Sequence, residues 1–255
     1  YWLTQSCPTG HGSVGCPPGT LANNFWPAFG NTLFFTLVTV LLETILGIGM
    51  ALVMAKDFHG RGLLRAAVLV PWAIPTAITA KLWAFLFSEQ GIVNSIFHAH
   101  VAWQTDPWAA RFSIILADVW KTTPFMALLI LAGLQMIPKD LYEAARMDGA
   151  NAWQRFTRIT LPLAKNSIIV AVLFRMLDAL RMYDLPYIMV GPNPDSPTAT
   201  LSQLVVAAIR QDHVNAASAL STLIFLLIFL IALCFVKSLG SKVAHQAEPV
   251  VAEEE

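Results

Sequence analysis

Apolar residues gather along this chain in five long stretches parted by polar segments, near residues 32–55, 66–87, 112–137, 166–190 and 216–236. Each matches the roughly 20 residues that a helix needs to cross a hydrocarbon layer about 30 Å thick. In such a layer every backbone N–H and C=O must bond within the protein, so a spanning segment is a helix or part of a closed barrel. None of the stretches shows the two-residue alternation of barrel strands. The pattern predicts an all-α polytopic membrane bundle: a segment over 1–28, a transmembrane domain over 29–237 with an inserted loop at 138–162, and an acidic tail over 238–255.

Composition agrees, since 56% of the 255 residues are apolar and 13% charged, which excludes an ordinary soluble domain. Lys+Arg and Asp+Glu are 16 each, so no basic excess points to nucleic acid. Placement of the positive residues carries more. Lys56, Arg61, Arg65, Lys139, Arg146, Arg155, Arg158, Lys165, Lys237 and Lys242 fall after the first, third and fifth stretches, while the opposite loops hold Arg111 and Arg210. Positive residues in short loops mark the cytoplasmic side, so the C-terminus is expected there and residues 1–28 outside. Tyr1 is not a start methionine, and the expectation is that one further span precedes it, making six.

Cys7 and Cys16 lie in the outer segment, where an oxidising compartment would allow a bridge, though two free thiols fit the sequence equally. Cys234 reads as a small apolar packing residue. The six His are scattered, with His98 and His100 the one close pair, so no metal site is expected. No Gly-x-x-x-x-Gly-Lys-Ser/Thr phosphate loop, nucleophile turn or zinc helix occurs, so no catalytic residue is assigned.

Ionisable groups inside a span cost several kcal/mol unless paired or wet, which marks them as pathway or pairing residues. Arg175, Asp178, Arg181 and Asp184 recur every three residues with alternating sign, predicting neighbours along one helix. The third span adds Asp118, Lys121, Thr122 and Phe125 beside Pro124. Carboxylates, cations and an aromatic ring are what a sugar's hydroxyls and C–H faces require, so Asp118, Lys121, Thr122, Phe125, Arg175, Asp178 and Arg181 are substrate candidates. The competing reading pairs Arg175 with Asp178 and Asp118 with Lys121 as structural ties. Glu43 is expected to face the bundle, Lys81 to reach the outer headgroups, and Tyr183 and Tyr187 to sit as interfacial aromatics.

The loop from Pro138 to Pro162 is too long for a connector. Pro138 suits a first helical turn, Asp148-Gly149 interrupts the helix, and a second short helix from Ala150 to Arg158 is expected to fold against the first. Physics alone leaves two options, an amphipathic helix on the membrane surface or a small-residue face docking into a partner. The spacing Glu143-Ala144-Ala145, then Gly149, then Ile159 and Leu161-Pro162 resembles the EAA loop of binding-protein-dependent importers of the ATP-binding-cassette superfamily. Pro71, Pro75, Trp83, Phe87, Gly91 and Asn94, with Tyr183–Tyr187, Gly191-Pro192 and Thr198–Leu201, are similar to the carbohydrate permeases of the maltose-importer type, although Pro186 and Met189 depart from that pattern. Within that branch the wording looks most like the first permease of mycobacterial trehalose importers.

The resemblance implies a type I ABC importer permease in a bacterial plasma membrane, moving a di- or oligosaccharide, trehalose first among them, by alternating access. Glu143, Ala144, Ala145, Asp148, Gly149 and Ala150 would dock onto an ATPase subunit. Implied partners are a second, different permease subunit, two ATPase subunits holding ATP and Mg, and an extracytoplasmic sugar-binding (lipo)protein. Residues 191–215 are expected to be an outer loop that could meet the latter. The alternative is an ion-coupled secondary transporter whose intramembrane carboxylates titrate.

Overall fold

The computed structural model describes residues 2–9, 12–16, 20–98 and 100–246, with the side chains of 6–9, 12–15, 236 and 238–246 outside that description. A short antiparallel hairpin, β1 (Ser6–Thr9) and β2 (Gly12–Gly15), precedes a bundle of helices. Cys16 is disulfide-bonded and its N–H donates to Gln5 O at 2.8 Å. The side chain of Cys7 lies outside the described residues. Cys234 is free.

Helix α1 runs Phe25–Ala55, starting seven residues before the apolar stretch, because Phe25 and Ala28 are buried against Leu201, Leu204 and Leu220. Its buried threonines Thr32 and Thr36 return their hydroxyls to the carbonyls four residues back, so these polar groups cost little in an apolar setting.

The second stretch, expected as one helix over 66–87, is instead broken into two. Helix α2 (Arg61–Ala73) and helix α3 (Thr76–Leu86) meet at an angle of 86°. Pro75 is the cause: the residue before a proline is driven out of the helical region, and Ile74 is extended with φ −72° and ψ 133°. A short helix α4 (Ile92–Phe97) follows.

Helix α5 (Pro107–Leu134) is the central element, packed on α1 and, later in the chain, on α8. Asp106 caps it by accepting from the N–H groups of Trp108 and Ala109. Near its far end a Cβ built on Gly133 would stand 2.3 Å from the Ser167 Cβ, so only glycine permits this approach.

Helix α6 (Lys139–Met147) is separate, but the expected second short helix over 150–158 is not. Helix α7 (Ala152–Arg155), a π-helical turn at Phe156–Thr160 and helix α8 (Leu161–Ala179) follow without a break, making one 28-residue span over Ala152–Ala179. Asn151 and Gln154 form a capping box that fixes its start.

The fourth span ends at Ala179 rather than near 190, and a separate short helix α9 (Asp184–Met189) follows. The expected outer loop at 191–215 contains helix α10 (Leu201–Arg210), opened by a Thr200/Gln203 capping box. Helix α11 (Val214–Gln246) outruns the 216–236 stretch, so 238–246 is helical rather than tail.

Candidate functional site

Three helices meet at one guanidinium. Glu43 on α1, Asp118 on α5 and Asp178 on α8 all accept from Arg175 of α8. Arg175 grips Glu43 by two nitrogens, with Nη2 to Oε1 at 3.0 Å, and reaches Asp178 Oδ2 from Nη1 at 3.1 Å. Thr122 stands against Glu43 Oε1 and the Asp118 carbonyl. Arg175 and Glu43 are closed to solvent, while the Asp178 side chain is 65% exposed. A charge this deep is tolerable only with its donors and acceptors matched, and a bidentate guanidinium–carboxylate contact does that.

Of the two ties in the competing reading, Arg175–Asp178 is present and Asp118–Lys121 is not. Asp118 bonds Arg175 rather than pairing with Lys121, whose Nζ instead donates to the carbonyls of Ile74 at 2.7 Å and Trp72 at 3.4 Å. The break between α2 and α3 frees these carbonyls, and the ammonium satisfies them. The run of four charges does not lie on one helix either, because Arg181 and Asp184 follow the end of α8.

Asp178 opens into a cavity of about 170 Å³ that also meets Thr76, Asp118, Lys121, Arg181 and Asp184. The bend at 180–183 thus brings Arg181 and Asp184 to the cavity that Asp118 and Asp178 line. Phe125 stacks on Trp72 at 5.6 Å and 11°, which ties α5 to α2. Pockets for drug-sized ligands run from roughly 300 to 1,000 Å³, so this volume suits part of a disaccharide. Tyr183 stacks on Tyr187 at 4.9 Å, and Arg210 lies over Tyr187 at 5.1 Å.

At the other end of the bundle, α6 buries none of its residues. Gly149 turns the chain with φ +79°, and the Ala150 N–H closes on the Ala145 carbonyl at 2.9 Å. Ala145, Asp148, Gly149 and Ala150 border a cleft of about 410 Å³ with Arg155 and Arg158. Glu143 and Ala144 are exposed on the neighbouring turn. Met147 at 88% and Trp153 at 70% exposure present large apolar surface beside them. The helix is held to the bundle by Tyr142 Oη to Thr160 Oγ1 at 3.1 Å and Lys139 Nζ to Asp57 at 2.7 Å. The Lys139 ammonium bonded to Asp57 holds that carboxyl below the usual carboxylate range.

Residues 43–245 match the family described as binding-protein-dependent transport system inner membrane component. The chain belongs to that family. The trehalose/maltose transport system permease protein MalF of Thermococcus litoralis is 44% identical over 221 residues, covering 85% of this chain and 75% of its own length. The trehalose transport system permease protein SugA of Mycobacterium tuberculosis is 39% identical over 219 residues, covering 85% and 71%. Among solved structures, a bacterial alginate ABC transporter bound to an alginate-loaded periplasmic protein superposes with a TM-score of 0.74 at 26% identity, covering 83% of this permease and 77% of that chain. Membership does not favour the ion-coupled alternative.

Glu43 is the site residue that sequence reasoning undervalued. Its signal was present: a carboxylate in the middle of a 31-residue apolar helix needs a cation, and the buried Arg175 supplies it.

Proposed function

We propose that this permease is one of two transmembrane subunits of an ATP-driven importer for a di- or oligosaccharide of the trehalose/maltose type. The observation that carries this is the 44% identity to a trehalose/maltose permease over 85% of the chain. The polar cavity at Asp118, Lys121, Thr122, Arg175, Asp178 and Arg181 supports it, because carboxylate acceptors and cationic donors converge where hydroxyls could bond.

ATP hydrolysis would come from separate ATPase subunits with their own ATP and Mg. Their closure would carry Glu143, Ala144, Ala145, Asp148, Gly149 and Ala150, and so move α5 and α8, which flank that loop. The same two helices carry Asp118, Arg175 and Asp178, so one displacement reaches the sugar groups and the docking loop together. Cytoplasmic placement of the loop and C-terminus is supported by the ten Lys and Arg on that side against two opposite. An extracytoplasmic binding protein would deliver the sugar at the α9–α10 end.

Uptake of labelled trehalose and maltose into vesicles carrying the assembled complex tests this. The expected result is uptake that needs internal ATP and survives a proton ionophore. Uptake abolished by the ionophore with ATP present would overturn it.

A further inference from the structure

A second cavity, of about 920 Å³, lies where α1 and α5 end beside α6. Its wall carries five cationic side chains, Lys56, Arg61, Arg65, Lys139 and Arg146. Two carboxylates share it, Asp57 and Glu143, and Asp57 is already held by Arg61 and Lys139. Arg65 gives one nitrogen to the Met54 carbonyl at 2.8 Å, while its Nε is buried without a partner. The cavity therefore keeps positive charge that the described side chains do not neutralise.

The neighbouring helix α2 supplies a second observation. It contributes Arg61 and Arg65 to the cavity, buries none of its 13 residues, and exposes Leu63 at 78% and Val70 at 56%. Cations inward and aliphatic side chains outward, at the terminus of two membrane spans, match a molecule with an anionic head and an acyl tail. A soluble anion would use the cations and leave the aliphatic face unmatched.

We infer that this cavity binds the phosphate headgroup of an anionic phospholipid from the leaflet at the docking-loop end of the bundle. Lys56, Arg65 and Arg146 would contact the phosphate, because Arg61 and Lys139 are engaged with Asp57. The acyl chains would run along Leu63 and Val70 of α2. The ligand would fill the space between α2 and α6, tying the bent second span to the docking helix. This inference does not depend on the identity of the transported sugar.

The test is native mass spectrometry of the assembled complex containing this permease, extracted in mild detergent and titrated with dioleoyl phosphatidylglycerol, dioleoyl phosphatidylcholine or inorganic phosphate. Expected is one saturable phosphatidylglycerol, weakened about thirtyfold when Lys56→Gln and Arg65→Gln are combined and largely restored by Arg65→Lys. An Arg210→Gln variant, at the opposite end, should bind as the parent does. Equal binding of phosphatidylcholine, or unchanged binding by the double variant, would overturn the site. Displacement of the lipid by millimolar inorganic phosphate would overturn the lipid assignment, since it would show that the head anion alone suffices. Circular dichroism of the double variant with native helicity excludes misfolding as the cause of any loss.

Discussion

Arg175 and Glu43, 132 positions apart in sequence, are joined by two nitrogen–oxygen contacts in the interior of the bundle. The pair fastens α8 to α1, and the third guanidinium bond adds Asp118 of α5. These are three of the four long apolar helices among the described residues, so one side chain sets their mutual register. The fourth contact, to Asp178, differs in kind because that carboxylate is largely open to solvent while those of Glu43 and Asp118 are buried.

Removing the buried partner should therefore cost far more than removing the exposed one. Arg175→Leu leaves buried carboxylates without a counter-charge, a loss of about 3–5 kcal/mol. Asp178→Asn should cost about 1 kcal/mol or less. Thermal unfolding in detergent checks this, and equal losses for the two variants would contradict the arrangement. Sugar-dependent ATP hydrolysis should show the reverse emphasis, with Asp178→Asn needing a higher sugar concentration while its fold persists.

Lys121 is expected to govern the bend between α2 and α3 through its bonds to the Trp72 and Ile74 carbonyls. Lys121→Met would leave those acceptors unmet, at roughly 1–3 kcal/mol. Spin labels placed on α2 and α3 should report a broadened distance distribution in this variant and a near-native one in Lys121→Arg. An unchanged distribution in Lys121→Met would show that Pro75 alone holds the angle.

Gly133 and Ser167 make a size-swap test of how closely α5 and α8 approach. A methyl at 133 would lie 2.1 Å from the Ser167 hydroxyl, so Gly133→Ala should destabilise by about 1–3 kcal/mol. Adding Ser167→Gly should recover most of that loss in the melting temperature. Failure of the double variant to recover would mean that the helices are held by something other than this contact.

Gly149 offers a contrast, because a Cβ there meets nothing within 4 Å and the obstacle is its φ of +79°. Gly149→Val should leave the melting temperature of the bundle nearly unchanged and distort only the docking loop, at about 1–2 kcal/mol of local strain. Limited proteolysis should then cut near 148–151 faster than in the parent. A bundle-wide loss of stability would contradict a loop that projects freely.

The helical membrane class and the projecting loop were legible because apolar length and Gly149 are local signals, whereas the start of the third span at Asp106-Pro107 lies five residues before its apolar stretch. The break at Ile74 was not legible, since Pro71 lies within α2 and only Pro75 opens the bend. Spacing found the Arg175–Asp178 pair but missed the other partners for a similar reason. A period of three places Asp118 near Lys121, but Lys121 is drawn to carbonyls that exist only once the second span bends, and Asp118 is drawn to an arginine 57 positions away. The fourth span looked longer than it is because α9 resumes the apolar pattern after the turn at 180–183. Long-range pairing and tertiary bends leave no periodic trace.

The most direct measurement is ATP hydrolysis by the complex reconstituted with its binding protein, screened over trehalose, maltose and other disaccharides, with wild type and Glu143→Lys side by side. Several-fold stimulation by a disaccharide is expected in the wild type, with loss of that stimulation in the variant, whose membrane fold stays intact because Glu143 is exposed. Equal sugar stimulation in both proteins would contradict coupling through this loop, and no stimulation by any disaccharide in an assembled wild-type complex would contradict the proposed substrate class.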